Sequence, residues 1–257
     1  MHLIDWLHEE PFTLSLSSGF FSFYAHTGVL KALEENGVLP RKLTGSSAGA
    51  LVASCWASGV TADSLKDILF DLKREDFWDP GFGWGLLKGK KFRGMLEDIL
   101  PVKSFEECRT KLALSAYDTK SKSTIVLDSG ELVPAIYASC AIPVMFQPLK
   151  YNGYNLLDGG IKDRPAMAAI RPGERVFYHH IVSVSPWRAK GSEALKVPQN
   201  DNMSTLAIHD LPRVGPTRLE NGAEAFFAAY ETTKKALNTE LIESQISMSS
   251  KLTPSQQ

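Results

Sequence analysis

Ser47 sits at the centre of a Gly-x-Ser-x-Gly pentapeptide, Gly45-Ser46-Ser47-Ala48-Gly49, just ahead of an apolar, helix-like run over residues 50–57. A serine on a sharp strand-to-helix turn stands exposed at a helix N-terminus. Small neighbours make such a turn sterically possible, and the aligned helix N–H groups favour negative charge there. That combination suits acyl transfer. The pentapeptide alone fits a Gly/Ser-rich loop before a buried helix equally well, so other residues must decide.

A serine hydroxyl needs a base, and the oxyanion formed in acyl transfer needs hydrogen-bond donors. Asp158 is the candidate base, on a turn where Gly159 and Gly160 let backbone pack closely. Residues 17–20 can aim backbone N–H groups at the oxyanion from between a first strand and its helix, with Gly19 and Phe20 as donors and Ala48 as a further one. A Ser-Asp-His triad stays open, because Ser47, Asp158 and any of His179, His180 or His209 follow that chain order. His26 reads as a capping or packing residue. His179 and His180 alternate along a strand, so one is expected in the core and the other towards solvent or the cleft.

The elements that must position these groups follow an α/β rhythm. Residues 12–16 alternate with period two and read as a strand, followed by a helix over about 26–36 that Asn36-Gly37 stops. Thr61 is a plausible N-cap for a helix carrying Leu65, Ile68, Leu69 and Leu72. Phe92, Met95, Leu96, Ile99 and Leu100 mark another amphipathic helix. Between these two lies a Gly- and aromatic-rich loop with Trp78, Phe82 and Trp84, read either as core packing or as a lid touching acyl chains and a lipid interface.

Residues 112–117 and 124–127 read as strands, and 131–139 as a short helix. Asn152-Gly153 marks a type I′ hairpin between 147–151 and 154–157, which delivers Asp158 at a strand end. A strand over 175–185, an irregular polar stretch over 185–216, a helix over 222–245 and a disordered tail over 249–257 complete the reading. Strand, helix and strand in this succession point to a parallel sheet.

The bulk composition narrows the function classes. The chain has 257 residues, 44% hydrophobic and 22% charged, enough for a sizeable core. A net charge of -1 gives no reason to expect a nucleic-acid partner. Three scattered cysteines argue against a disulfide framework or a CxxC metal site; Cys55 and Cys140 read as buried thiols, in keeping with a reducing compartment. The N-terminal residues lack a signal peptide's basic and apolar regions, and no run has membrane-spanning length, so the expected location is cytoplasmic with room for peripheral membrane contact.

Four blocks, in order, resemble the patatin-like phospholipase family. They are Ala25-His26-Thr27-Gly28-Val29-Leu30-Lys31-Ala32-Leu33, Gly45-Ser46-Ser47-Ala48-Gly49-Ala50, Ala138-Ser139-Cys140-Ala141-Ile142-Pro143 with Phe146 and Pro148, and Asp158-Gly159-Gly160. The resemblance runs over about 12–185. It implies a three-layer α/β/α fold with a mostly parallel central sheet and a nucleophile elbow, as one domain over 1–257. It also implies a lipid acyl hydrolase with a Ser-Asp dyad, Ser47 as nucleophile and Asp158 as base, with a lipid or other ester as substrate and no cofactor or metal.

One block departs from the pattern. The family's oxyanion loop usually reads Gly-Gly-Gly-x-Arg/Lys-Gly, whereas residues 18–23 keep only Gly19 and carry Ser22 at the basic position. A non-catalytic lipid-binding or regulatory protein of the same fold is the alternative that this departure leaves.

Overall fold

The computed structural model describes residues 1–182 and 196–251. Its first half runs α1 (Leu3–Glu9), β1 (Thr13–Leu16), α2 (Phe23–Glu35), β2 (Lys42–Ser46), α3 (Ala48–Ser58), α4 (Ala62–Asp71), α5 (Arg74–Phe77), β3 (Gly85–Leu87) and α6 (Lys90–Ile99). Then come β4 (Lys111–Asp118), β5 (Ser123–Leu127), α7 (Leu132–Cys140), β6 (Val144–Phe146), β7 (Leu149–Tyr151), β8 (Tyr154–Asp158), β9 (Val176–Ile181), β10 (Met203–His209), α8 (Gly222–Leu237) and β11 (Gln245–Ser249).

The central sheet has the order β11-β10-β9-β1-β2-β4-β8-β7, with β5 also on β4. Every pairing from β11 to β4 is parallel, while β5, β7 and β8 add antiparallel pairs. β3 and β6 form a separate two-stranded ribbon. The result is a mixed α/β fold around a mostly parallel sheet.

Period-two alternation explains how its centre is covered. Leu14 and Leu16 of β1, Leu43 of β2 and Leu112 and Leu114 of β4 share one core with residues of α2, α3, α7 and α8. The intervening positions are small and polar, and hydroxyls tie them down: Thr44 Oγ1 donates to Ser15 Oγ, Ser15 Oγ to the Pro165 carbonyl, and Ser115 Oγ to Asp163. On that second face the hydroxyls meet the segment that begins at Asp163. Buried hydroxyls with partners avoid most of the cost of burying polar groups, and they fix the segment that carries Arg164.

Several local readings hold. Thr61 caps α4 by accepting the Ser64 N–H. Asn152 and Gly153 both take positive φ, 49° and 83°, as the hairpin requires. Others are corrected. α2 starts at Phe23, three residues earlier than periodicity implied. The stretch expected to be irregular holds β10, nearly all buried between β9 and β11. Its Met-Ser-Thr-Leu-Ala-Ile pattern is masked by polar and proline-bearing flanks.

The last helix ends at Leu237, where Lys234, Lys235 and the C-cap Asn238 supply ordinary stop signals. Leu241 lies beyond it, and residues 245–249 form β11 instead of a helix end and tail. The strand expected to reach 185 ends at Ile181; residues 183–185, like most of the expected tail, lie outside the described residues.

Candidate active site

The chain reverses sharply between β2 and α3. Ser47 takes φ 54° and ψ −120°, a conformation that costs a residue with a side chain about 1–3 kcal/mol. Neighbouring groups hold it there. Its N–H donates to Ser139 Oγ at 3.0 Å, and Ser139 Oγ donates onward to the Ser115 carbonyl at 2.7 Å. The Ser47 carbonyl accepts from Leu51 N–H and from Cys140 Sγ.

The flanking glycines are needed for close approach. A Cβ on Gly49 would lie 2.1 Å from the Leu16 carbonyl oxygen, and one on Gly45 would lie 2.5 Å from that of Gly49. With both glycines, α3 sits directly on β1 and β2, and its first-turn N–H groups, Ala48 included, have no helical acceptor.

Asp158 comes to the same sheet edge as the last residue of β8. β2 pairs along Lys111–Ser115 of β4, and β8 continues along Ala116–Asp118. β5 overlaps both stretches, so it occupies the opposite edge, and β2 and β8 lie end to end on one edge. Ser46 pairs with Ser115, and Asp158 pairs with the next residue, Ala116. The turn after Asp158 packs tightly, since a Cβ on Gly159 would fall 1.9 Å from the Ser115 carbonyl and 2.9 Å from Ser46 Oγ. Asp158 is buried, its N–H donates to the Ala141 carbonyl, and Oδ1 accepts the Gly160 N–H at 2.8 Å.

The loop before α2 is anchored on both sides. Ser18 N–H donates to the Arg164 carbonyl, and Ser17 Oγ accepts Ile181 N–H. A Cβ on Gly19 would lie 2.2 Å from Ser22 Oγ, so that side chain must shift to admit it. The positive φ in this loop falls on Phe21, at 53°, not on Phe20.

An apolar hollow, open at its mouth, meets these elements. Gly19, Ser47 and Ala48 border it at one end. Leu51 of α3, Leu65 and Leu69 of α4, Leu96 of α6 and Phe146 of β6 form its walls. Phe20 and Asp158 are not among the described residues that line it; the Phe20 ring is 41% exposed. Sequence reading took the α6 residues Phe92, Met95, Leu96 and Ile99 as a packing face. They do pack on the core, and they also border the hollow, because an apolar stripe has the same pattern whether it meets side chains or a cavity.

The histidines are engaged elsewhere. His26 Nε2 lies 2.8 Å from the Ser17 carbonyl, and its Nδ1 lies 2.8 Å from His179 Nδ1. A carbonyl only accepts, so His26 carries its proton on Nε2, and His179 Nδ1–H donates to His26 Nδ1. Burial lowers His26 to about 4 and His179 well below its ordinary value. His180 contacts Tyr178 Oη and Arg164; burial, and then the Arg164 cation, bring it to about 3. His179 and His180 are both buried, against the expectation that one would face solvent or the cleft. His209 bonds Ser247 from β10. Among the described residues, no hydrogen bond joins a histidine to Ser47.

The family model for patatin-like phospholipases matches residues 14–170. The chain belongs to that family. This patatin-like chain is 31% identical over 169 residues to an uncharacterised NTE family protein of Mycobacterium tuberculosis, covering 61% of the chain and 44% of that protein. It is 27% identical over 172 residues to a human 1-acylglycerol-3-phosphate O-acyltransferase, covering 60% of the chain and 35% of that protein. It thus spans less than half the length of either relative. The fold is similar to that of VipD from Legionella pneumophila, with a TM-score of 0.60 and 17% identity over 89% of this chain and 67% of that one. Family membership supports a lipid hydrolase at the level of the family. Among the described residues no helix is long and apolar enough to cross a membrane.

Proposed function

We propose that the chain is a serine acyl hydrolase that cleaves carboxylic esters of phospholipids or other lipids through Ser47 and Asp158. The observation that carries this reading is the strained elbow, which turns Ser47 onto the end of a largely apolar cavity beside the sheet edge that holds Asp158. The acyl chain occupies the cavity and brings its carbonyl to Ser47. Ser47 Oγ attacks, Asp158 takes the hydroxyl proton, and the carbonyl oxygen becomes an oxyanion.

Ser47 N–H is committed to Ser139, so the donors to that oxyanion come from Ala48 in the first turn of α3 and from the Gly19–Phe20 backbone. Collapse expels the alcohol, which recovers the proton from Asp158. Asp158 then activates a water that releases the fatty acid from the acyl-enzyme. The residues 1–257 act in this scheme as one patatin-like unit, and the histidines support the fold.

The test is covalent labelling with a fluorophosphonate, with the adduct located by mass. Labelling on Ser47 that disappears in Ser47→Ala is the expected result. A folded protein that binds lipid and takes no label would favour the non-catalytic alternative.

A further inference from the structure

The loop between α5 and α6 carries apolar side chains that the core does not use. Phe82 is fully exposed, Trp84 nearly so, and Leu86 is about half exposed. Val144, which pairs with Gly85 in the β3–β6 ribbon, is 78% exposed. This corrects the core-packing reading for Phe82 and Trp84; only Trp78 packs on the core, with Arg74 over its ring.

The loop is pinned from within. Gly81 N–H donates to the Leu86 carbonyl, Lys88 N–H to that of Asp79, and Gln147 Nε2 to that of Phe82. These bonds hold the aromatic tip outward. The inner side of the same ribbon closes the substrate cavity through Phe146, which pairs with Leu87.

Along the loop and the first turns of α6, between Asp79 and Glu97, the charge has one sign. Residues 80–96 contain Lys88, Lys90, Lys91 and Arg93 and no acidic residue. Asp79, the acid just before them, spends its carboxylate on the N–H groups of Gly89, Lys90 and Lys91. A groove beside Trp84 adds Lys120 and Lys150. Exposed aromatic tips ringed by lysines match a bilayer that offers an apolar interior beneath anionic headgroups.

We infer that Phe82, Trp84, Leu86 and Val144 form a docking surface for an anionic lipid bilayer, with Lys88 and Lys90 contacting its headgroups. The inference rests on the lipid-hydrolase reading. It adds that the β3–β6 ribbon seats the cavity mouth on the membrane, so that a lipid can enter without crossing water.

The experiment uses the full chain with Ser47→Ala, so that no lipid is consumed, in flotation with vesicles of phosphatidylcholine alone or with phosphatidylserine added. Binding that requires phosphatidylserine and weakens in high salt is expected. Adding Phe82→Ala with Trp84→Ala should lower the partition coefficient about tenfold or more, since each ring gives up apolar burial in the interface. Lys88→Glu with Lys90→Glu should abolish the preference for anionic vesicles. A thermal midpoint close to the parent's shows that these surface variants fold.

Unchanged binding by the aromatic variant overturns the proposal, as does a parent that ignores anionic vesicles. Self-association abolished by the same aromatic substitutions, without vesicle binding, also overturns it, by assigning the patch to a second copy. Fluorophosphonate labelling of wild type needs no vesicle, so failure of docking and failure of the hydrolase reading are separately visible.

Discussion

Ser139 Oγ lies 3.0 Å from the Ser47 amide nitrogen and accepts a hydrogen bond from it, while donating one to the Ser115 carbonyl. A residue 92 positions away thus holds the elbow at its strained dihedral and ties it to β4.

Ser139→Ala leaves a buried N–H and a buried carbonyl without their partner. We expect a loss of about 1–3 kcal/mol in stability by denaturant titration. We also expect kcat on a lipid ester to fall roughly 10–100-fold with KM little changed, because the nucleophile drifts from its attack position. An unchanged kcat in a folded variant would remove Ser139 from the positioning of Ser47.

Acid should weaken the fold through its buried histidines. His26 titrates near 4 in the folded chain against an ordinary 6.5, and His179 and His180 are lowered too. The unfolded chain therefore binds more protons below about pH 6.5. Stability is complete above that pH and is lost as pH falls towards 4, by up to about 1.4 kcal/mol per unit for each histidine. For His26 alone the loss reaches on the order of 3 kcal/mol. Urea titrations across this range should show the slope, and His26→Gln should flatten it; an equally steep slope in the variant would contradict the assignment.

Met95 is half-buried on the wall that α6 gives the cavity. Met95→Trp should fill part of that space. We expect kcat/KM for a long-chain ester to fall about tenfold or more relative to a short-chain ester. Parallel losses on both substrates would place the acyl chain elsewhere.

Much of the site was legible from sequence because each of its parts obeys a local rule. Small residues flank Ser47 for backbone approach, Asn152-Gly153 sets the hairpin that ends at Asp158, and Thr61 starts α4. The unread parts depend on what lies opposite. Met203–His209 is a strand because β9 and β11 flank it, and its own pattern is too mixed to say so. The α6 stripe could not reveal a cavity, nor could two adjacent histidines reveal that both are buried. Ser139 appeared only as part of a family block, since nothing local to it indicates that it bonds Ser47.

The proposed dyad pairs Ser47 with Asp158 and uses no histidine. Its most direct test is kcat/KM for ester hydrolysis by Asp158→Asn, measured beside alanine variants of His179, His180 and His209. We expect a fall of roughly 10⁴-fold for Asp158→Asn, the scale of losing a catalytic partner, with each folded histidine variant far less affected. An Asp158→Asn enzyme within about tenfold of wild type, alongside a histidine variant that loses roughly 10⁴-fold, would contradict it.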